Sequence, residues 1–199
     1  PSKFDDVVAL VALFRPGPMN FIPNYAKRKE GKEQIDCYDK RLEEILLPTY
    51  GILTYQEQIS SLAMVMSNFS PSEADNFRRA VSKKNKEIME MMKSKFFLGA
   101  RQNNYPEHII TRVFDDISKF ANYGFNKSHA VGYALIATRM AYLKAHYPLE
   151  FYASILENSS STSDTKFNEY IEEMKSQNIS MLPPDINRST NNFSVREDG

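Results

Sequence analysis

Apolar residues recur at three- and four-residue intervals through most of this chain, the period of helices that bury one face. Phe4 to Phe14 predicts a short apolar helix, begun by Ser2-Lys3-Phe4-Asp5 in capping-box spacing with Asp in the Glu position. It stops at Arg15-Pro16-Gly17-Pro18, where two prolines restrict the backbone and hold Arg15 at a stiff corner. Asn20 to Glu30 predicts a second helix, with Gly31 just past its end and Lys27, Arg28 and Lys29 as a solvent face. Asp39 to Leu47 predicts a third, with Leu42, Ile45 and Leu46 inward and Pro48 as its stop.

Gly51 to Thr54 predicts a short extended link, and Thr54 with Glu57 has the spacing of a capping box opening a helix at Tyr55. Ile59, Leu62, Ala63 and Met66 give that helix its core face. Ser70-Pro71-Ser72-Glu73 combines a cap, a proline at the first helical position and a Glu at the third, so the next helix starts there. Glu87 to Asn103 follows with Ile88, Met91, Met92 and Phe96 inward, a Met-rich stripe that reads as adaptable core. Pro106 opens a helix to Asn122 that turns Ile110, Val113, Phe114, Ile117, Phe120 and Ala121 inward.

From Ala130 to Thr138 no residue carries a charge, so Tyr123 to Tyr147 predicts a helix apolar on every side and packed around by others. The fold class that follows is mainly α: a multi-helix domain around one buried helix, with a short irregular or extended C-terminal tail. The entrance to that helix is in electrostatic conflict. Lys127 and His129 stand where the macrodipole is already positive, at a cost of roughly 0.3–1 kcal/mol for each cation. With Ser128 as the expected cap and Gly124 upstream, either an anion settles the conflict or water does. Pro148 then starts a helix to Glu157, Ser159 to Thr165 reads as a hydrophilic linker, and Lys166 to Asn178 is a last amphipathic helix.

Composition narrows the function classes. The chain has 199 residues, 42% hydrophobic and 25% charged, and no apolar run of the length a membrane span needs. With Cys37 alone and no signal-like start, a disulfide framework and secretion are unsupported and a reducing cytoplasm is the expectation. Both ends read as cut from something longer. Net charge is zero from 25 basic and 25 acidic residues, but residues 51 to 130 carry 11 Lys or Arg against 8 Asp or Glu. Most of that surplus lies in one run, where Arg78, Arg79, Lys83, Lys84 and Lys86 follow one another with no acid between them. Paired arginines offer planar forks to phosphate oxygens, and lysines add point charge.

Other chemistry is missing from the pattern. His108, His129 and His146 lie far apart with no carboxylate or Cys at ligand spacing, so neither zinc nor a nucleophilic triad is supported. No glycine-rich phosphate loop occurs. Asp5-Asp6 and Asp115-Asp116 are neighbours on helices, diverge by about 100°, and read as surface pairs.

Several blocks in a fixed order carry a resemblance. They are Val-Ala-Leu-Phe-Arg-Pro-Gly-Pro ending at Pro18, Pro-Thr-Tyr-Gly-Ile-Leu-Thr-Tyr-Gln-Glu-Gln (48 to 58), Phe-Arg-Arg-Ala-Val-Ser-Lys-Lys (77 to 84), Tyr-Gly-Phe-Asn-Lys-Ser-His-Ala (123 to 130), Leu-Lys-Ala-His-Tyr-Pro-Leu-Glu-Phe (143 to 151) and Leu-Pro-Pro-Asp-Ile-Asn (182 to 187). In this order they resemble the bacterial family C replicative DNA polymerases, the DNA polymerase III alpha subunits, over nearly the whole chain. The resemblance implies a fingers domain over residues 1–158, and over 159–199 a linker, a helix and the start of a following domain. It implies a part of a DNA-directed DNA polymerase that binds the incoming deoxynucleoside triphosphate and template-primer DNA, with other replisome subunits as partners through the parent chain and no membrane. The Mg2+ of the parent enzyme is held by palm aspartates upstream of this sequence, so no catalytic or metal residue is expected here and the piece alone is expected to be inactive. By matching position, Arg78, Arg79, Lys83 and Lys84 are implied for the triphosphate or template backbone. Asn126, Lys127, Ser128 and His129 are implied for the nucleotide pocket, with Arg15, Tyr55, Gln56 and Glu57 as further candidates. The competing reading of the same helices is a non-catalytic scaffold that binds protein partners and has no nucleotide site.

Overall fold

The computed structural model describes residues 1–83, 86–120, 123–159 and 165–196, with no side-chain description for 82, 83, 86–88 and 165. Its regular structure among the described residues is helical, with one isolated parallel bridge between Tyr55 and Phe125 as the sole extended pairing among them. The helices are α1 (Phe4–Leu13), α2 (Ile22–Lys29), α3 (Glu43–Leu46), α4 (Gln56–Ser67), α5 (Pro71–Lys83), α6 (Lys86–Gln102), α7 (Glu107–Phe120), α8 (Lys127–His146), α9 (Pro148–Glu157) and α10 (Thr165–Ser176). The mainly α expectation holds. Two compact units divide the chain, Pro1–Leu135 and Ile136–Gly199.

The first unit is built on α4. Ile59, Leu62, Ala63 and Met66 are fully buried, as the sequence pattern predicts, and pack with Phe77 and Ala80 of α5, Phe96 and Ala100 of α6, and Ile110, Val113 and Ile117 of α7. Phe77 and Phe96 stack with centroids 5.4 Å apart, and Phe69 meets both edge-on. Truncating such a side chain to Ala costs roughly 3–5 kcal/mol. α6 crosses α4 so closely that a Cβ on Gly99 would stand 2.4 Å from the Ser67 carbonyl oxygen, while the Ser67 hydroxyl donates to Phe96 O at 2.6 Å. One inward expectation fails here: Met91 is exposed, whereas Met92 and Phe96 carry the buried face. Ile88 and Ala121 lie outside the described side chains.

The third predicted helix is broken into pieces. Glu43–Leu46 is helical, flanked by 3-10 turns at Lys40–Leu42 and Leu47–Thr49, and Pro48 sits inside the second turn, where its missing N–H leaves no bond unmade. The cations of α2 also depart from expectation. Arg28 donates to Glu33 (2.7 Å) and to Tyr50 O (3.1 Å), and Lys29 pairs with Asp6, so two of the three serve the fold. Asp6 is buried rather than on the surface, and it, not Asp5, caps α1 by accepting from the backbone N–H of Ser2 (2.8 Å) and Lys3 (3.1 Å). The Tyr25 hydroxyl donates to its other oxygen at 3.2 Å. Burial alone would raise the pKa of Asp6; bonds from Lys29 and the two backbone N–H groups reverse that and hold it well below the usual carboxylate range.

The expected buried central helix is the largest correction. α8 runs from Lys127 to His146, so it starts four residues later than expected, and Ala130 and Ala134 are its only buried residues among those described, set against Val8, Ala12 and Tyr55. Val131, Tyr133, Leu135, Ile136, Met140, Tyr142 and Leu143 are exposed. Two alanines one turn apart let α1 approach along one narrow line, and most of the large apolar side chains on the other faces of α8 stay exposed.

In the second unit α9 and α10 pack through Tyr152, Leu156, Phe167 and Met174, with Lys144 paired to Glu173. The linker expected at 159–165 falls mainly on 160–164, outside the described residues. Beyond α10 the described tail to residue 196 is irregular, with a turn at Asp185 whose carboxylate accepts from Asn187 N (2.8 Å).

Candidate nucleotide-phosphate site

The first unit brings together residues that are distant in sequence. The extended link before α4 and the loop before α8 run in parallel, with Phe125 N donating to Thr54 O (3.2 Å) and Gln56 N donating to Phe125 O (2.9 Å). This short pairing fixes the register of the two helix starts. The start of α4 differs from expectation in one decisive way. Gln58, rather than Glu57, is its capping acid-equivalent, and Gln58 Oε1 accepts from the backbone N–H of Thr54 (2.8 Å) and Tyr55 (2.9 Å). Gln58 Nε2 donates to Ile45 O (3.0 Å) and Thr49 Oγ1 (2.8 Å).

Glu57 is therefore available to α8. Its carboxylate accepts from the backbone N–H of Lys127 (3.0 Å) and from Asn126 Nδ2 (3.0 Å). Asn126, not Ser128, is the cap, its Oδ1 accepting from His129 N (2.8 Å), and Ser128 is exposed two positions too far along to serve. The anion that the helix entrance calls for is thus supplied, in this structure, by a side chain of the same protein. The Lys127 ammonium lies 5.5 Å over the Tyr55 ring, and that ring is buried against Val8, Ala12, Ala130 and Ala134. His129 is exposed and stacks edgewise between Phe125 and Tyr133.

The arginines approach the same loop from two sides. Arg15 Nη2 donates to Tyr123 O (2.6 Å), Nε donates to Ala12 O (2.9 Å), and the guanidinium sits 4.5 Å over the Phe125 ring. Arg78 Nη1 donates to Gln56 Oε1 (2.9 Å), and Gln56 Nε2 donates in turn to Gly124 O (2.9 Å). Arg78 also grips Asp75 through Nε (3.1 Å) and Nη2 (2.6 Å), and Arg79 Nε lies 2.8 Å from the other Asp75 oxygen. The hydrogen bonds from Arg78 hold the Asp75 carboxyl below its ordinary pKa. Arg78 is mostly covered, with 23% of its side chain exposed, whereas Arg79 at 61% projects into solvent.

Ten of the twelve residues singled out from the sequence have described side chains, and nine of them gather at one place: Arg15, Tyr55, Gln56, Glu57, Asn126, Lys127 and His129 around the two helix starts, and Arg78 and Arg79 joined to them through Gln56 and Asp75. Ser128 lies on the exposed rim of the same entrance. Lys84 lies outside the described residues and Lys83 outside the described side chains. Asp75 and Gln58 were missed. Asp75 could have been found from its three- and four-residue spacing to Arg78 and Arg79, which favours helical ion pairs. Among the described residues no three His, Cys, Asp or Glu side chains gather as a metal would require, and no helix is long and apolar enough to cross a membrane. The adjacent pair Asp115 and Asp116 diverges as expected, but Asp116 is half-buried and accepts from the Tyr38 hydroxyl at 2.9 Å.

Known proteins match this sequence closely. Residues 1–104 fit the family model described as the bacterial DNA polymerase III alpha subunit finger domain. The chain is 45% identical over 197 residues, 98% of its length, to a DNA polymerase III subunit alpha of Aquifex aeolicus. It is 46% identical over its full length to that of Halalkalibacterium halodurans, and 48% identical over 95% of its length to that of Staphylococcus aureus. It spans 17% to 18% of the length of these curated relatives.

Proposed function

Because the chain belongs to the finger-domain family of the bacterial DNA polymerase III alpha subunit, we propose that it forms the part of a DNA-directed DNA polymerase that receives the triphosphate of the incoming deoxynucleotide. The observation that supports this most is the hydrogen-bonded path from Arg78 through Gln56 to the loop entering α8. It sets a guanidinium beside a helix N-terminus whose present occupant is already an anion, Glu57. A polyphosphate needs both kinds of group: fixed N–H donors with a positive dipole, and planar forks that neutralise charge developing in phosphoryl transfer. Arg79, more exposed than Arg78, is the arm that reaches the nucleotide. Lys83, Lys84 and Lys127 add charge for phosphate or template backbone, and Asn126, Ser128 and His129 line the pocket.

Template-primer DNA is the second ligand, and the polymerase acts in the cytoplasm with other replisome subunits. The Mg2+ that phosphoryl transfer requires is held by carboxylates elsewhere in the longer polypeptide; when bound, it supplies charge neutralisation at the reacting phosphate. What the residues here contribute is alignment, and by themselves they do not polymerise. In the whole polymerase, Arg79→Ala is expected to raise the KM for nucleotide roughly tenfold, the worth of one charge-assisted contact. If both KM and turnover stay at their wild-type values, Arg79 does not meet the triphosphate and the non-catalytic scaffold reading gains.

A further inference from the structure

The Gln56 side chain touches both halves of the candidate site. Its Oε1 accepts from Arg78 Nη1 and its Nε2 donates to Gly124 O, each at 2.9 Å. Because a guanidinium can only donate and a carbonyl can only accept, the amide has a single orientation that serves both, and a turn of 180° would set donor against donor and acceptor against acceptor. Its backbone N–H adds the bond to Phe125 O. Gly124 lets this happen, since a Cβ there would stand 3.0 Å from Gln56 Cγ. Arg78 is tied to the α8 loop through Gln56, and it grips Asp75 on its own helix.

We propose that Gln56 is a positioning residue that locks the Arg78 guanidinium and the entrance of α8 into one register, so that the two phosphate-binding halves of the site move and engage as a unit. This rests on the nucleotide reading above. It goes beyond that reading in assigning to an uncharged side chain, outside direct contact with phosphate, control over how the charged ones are aimed. A bound triphosphate that pulled on Arg78 would, through the same amide, hold the Gly124 carbonyl and so the first turn of α8. Release of either end would break this link between the arginine and the α8 entrance.

The test is a double-mutant cycle in the full-length polymerase, with single-nucleotide incorporation measured for wild type, Gln56→Met, Arg78→Ala and the pair. Methionine matches the length of glutamine and removes both polar ends. Gln56→Met is expected to raise the KM for nucleotide roughly tenfold with a smaller change in kcat, and to add less than about twofold once Arg78 is already alanine. Hydrogen exchange at residues 124–127 should quicken in Gln56→Met while the global unfolding midpoint, read on the same samples, shifts equally in the two backgrounds. A tenfold rise in KM that persists undiminished in the Arg78→Ala background overturns the positioning role, because Gln56 would then act without Arg78. An unchanged KM in Gln56→Met, with Arg78→Ala impaired, overturns it too and leaves the nucleotide reading standing. An unchanged KM in Arg78→Ala removes the nucleotide reading at that residue, and the positioning role falls with it. Should Gln56→Met not fold, Gln56→Glu keeps the acceptor for Arg78 and loses the donor to Gly124, and the same cycle is read with it.

Discussion

The starts of α4 and α5 carry nearly the same local instruction and use it in different ways. At α5 the capping box closes on itself: Glu73 Oε2 accepts from Ser70 N and from the Ser70 hydroxyl, both at 2.9 Å, and Ser70 Oγ accepts from Glu73 N at 3.3 Å. At α4 the acid in the matching position, Glu57, turns away to the start of α8, and Gln58, one residue later, closes the α4 cap. A capping motif states that some side chain must meet the free N–H groups, not which helix owns it. The difference is that Glu73 keeps its cap on its own turn and reaches outside it only to a side chain, Lys95 of α6, while the parallel pairing of Tyr55 with Phe125 lays a second helix start, with free backbone N–H groups, beside Glu57. At α4 the acid therefore serves the neighbouring helix, and the neutral amide takes the local duty.

The strongest way to break that comparison is to remove the amide. Gln58 is buried and makes four hydrogen bonds, two of them to backbone N–H groups with no other partner in reach. Gln58→Ala is expected to cost roughly 3 kcal/mol, since orphaned buried donors lose their full solvation. The urea midpoint measures it. A loss under about 1 kcal/mol would mean that Glu57 swings back to cap α4, and the two starts would then be equivalent after all.

How much of this could be read from the chain depends on which link was being read. The core faces of α4 and α7 were legible because Ile59, Leu62, Met66, Ile110, Val113 and Ile117 repeat at helical spacing and that period alone decides a buried face. Caps were legible as places but slipped by one residue at α1 and α4, where Asp6 and Gln58 rather than Asp5 and Glu57 do the work. Both errors have one cause: adjacent polar residues offer the same chemistry, and the backbone angle entering the helix selects between them. The burial of α8 was misread for another reason. An apolar sequence reports that faces can be covered, whereas Ala130 and Ala134 show that coverage depends on which neighbours approach. The candidate site was legible as a set of residues, but the connecting roles of Gln56 and Asp75 were not, because a bridging amide has no spacing of its own.

A medium effect sharpens the comparison at α8. Glu57→Ala is expected to loosen the entrance of α8 rather than α4, with amide exchange at residues 127–130 quickening about fivefold, the equivalent of roughly 1 kcal/mol of lost capping. Amides at Gln58 to Leu62 should hold their protection because Gln58 still closes that turn. If protection is lost first in α4, the division of labour between Glu57 and Gln58 is wrong.

The smallest effect belongs to Glu73 and is visible in its titration. A hydrogen bond from the Lys95 ammonium, with help from the Ser70 N–H and hydroxyl, lowers its pKa from an ordinary 4.5 to about 2. A carboxylate with a depressed folded pKa adds stability that is complete above the ordinary value and drains away as pH falls through the folded one, so the window runs from about 4.5 down to about 2. The group is exposed and water and salt screen the pair, so the stability change is slight and the titration itself is the better measurement. A carbon-detected NMR titration should place the Glu73 carboxyl midpoint near 2 and move it upward in Lys95→Ala, while the α5 cap bonds from Ser70 persist. An ordinary midpoint in the wild-type protein would show that Glu73 is engaged neither by Lys95 nor by Ser70, and the contrast between the two helix starts would lose its reference.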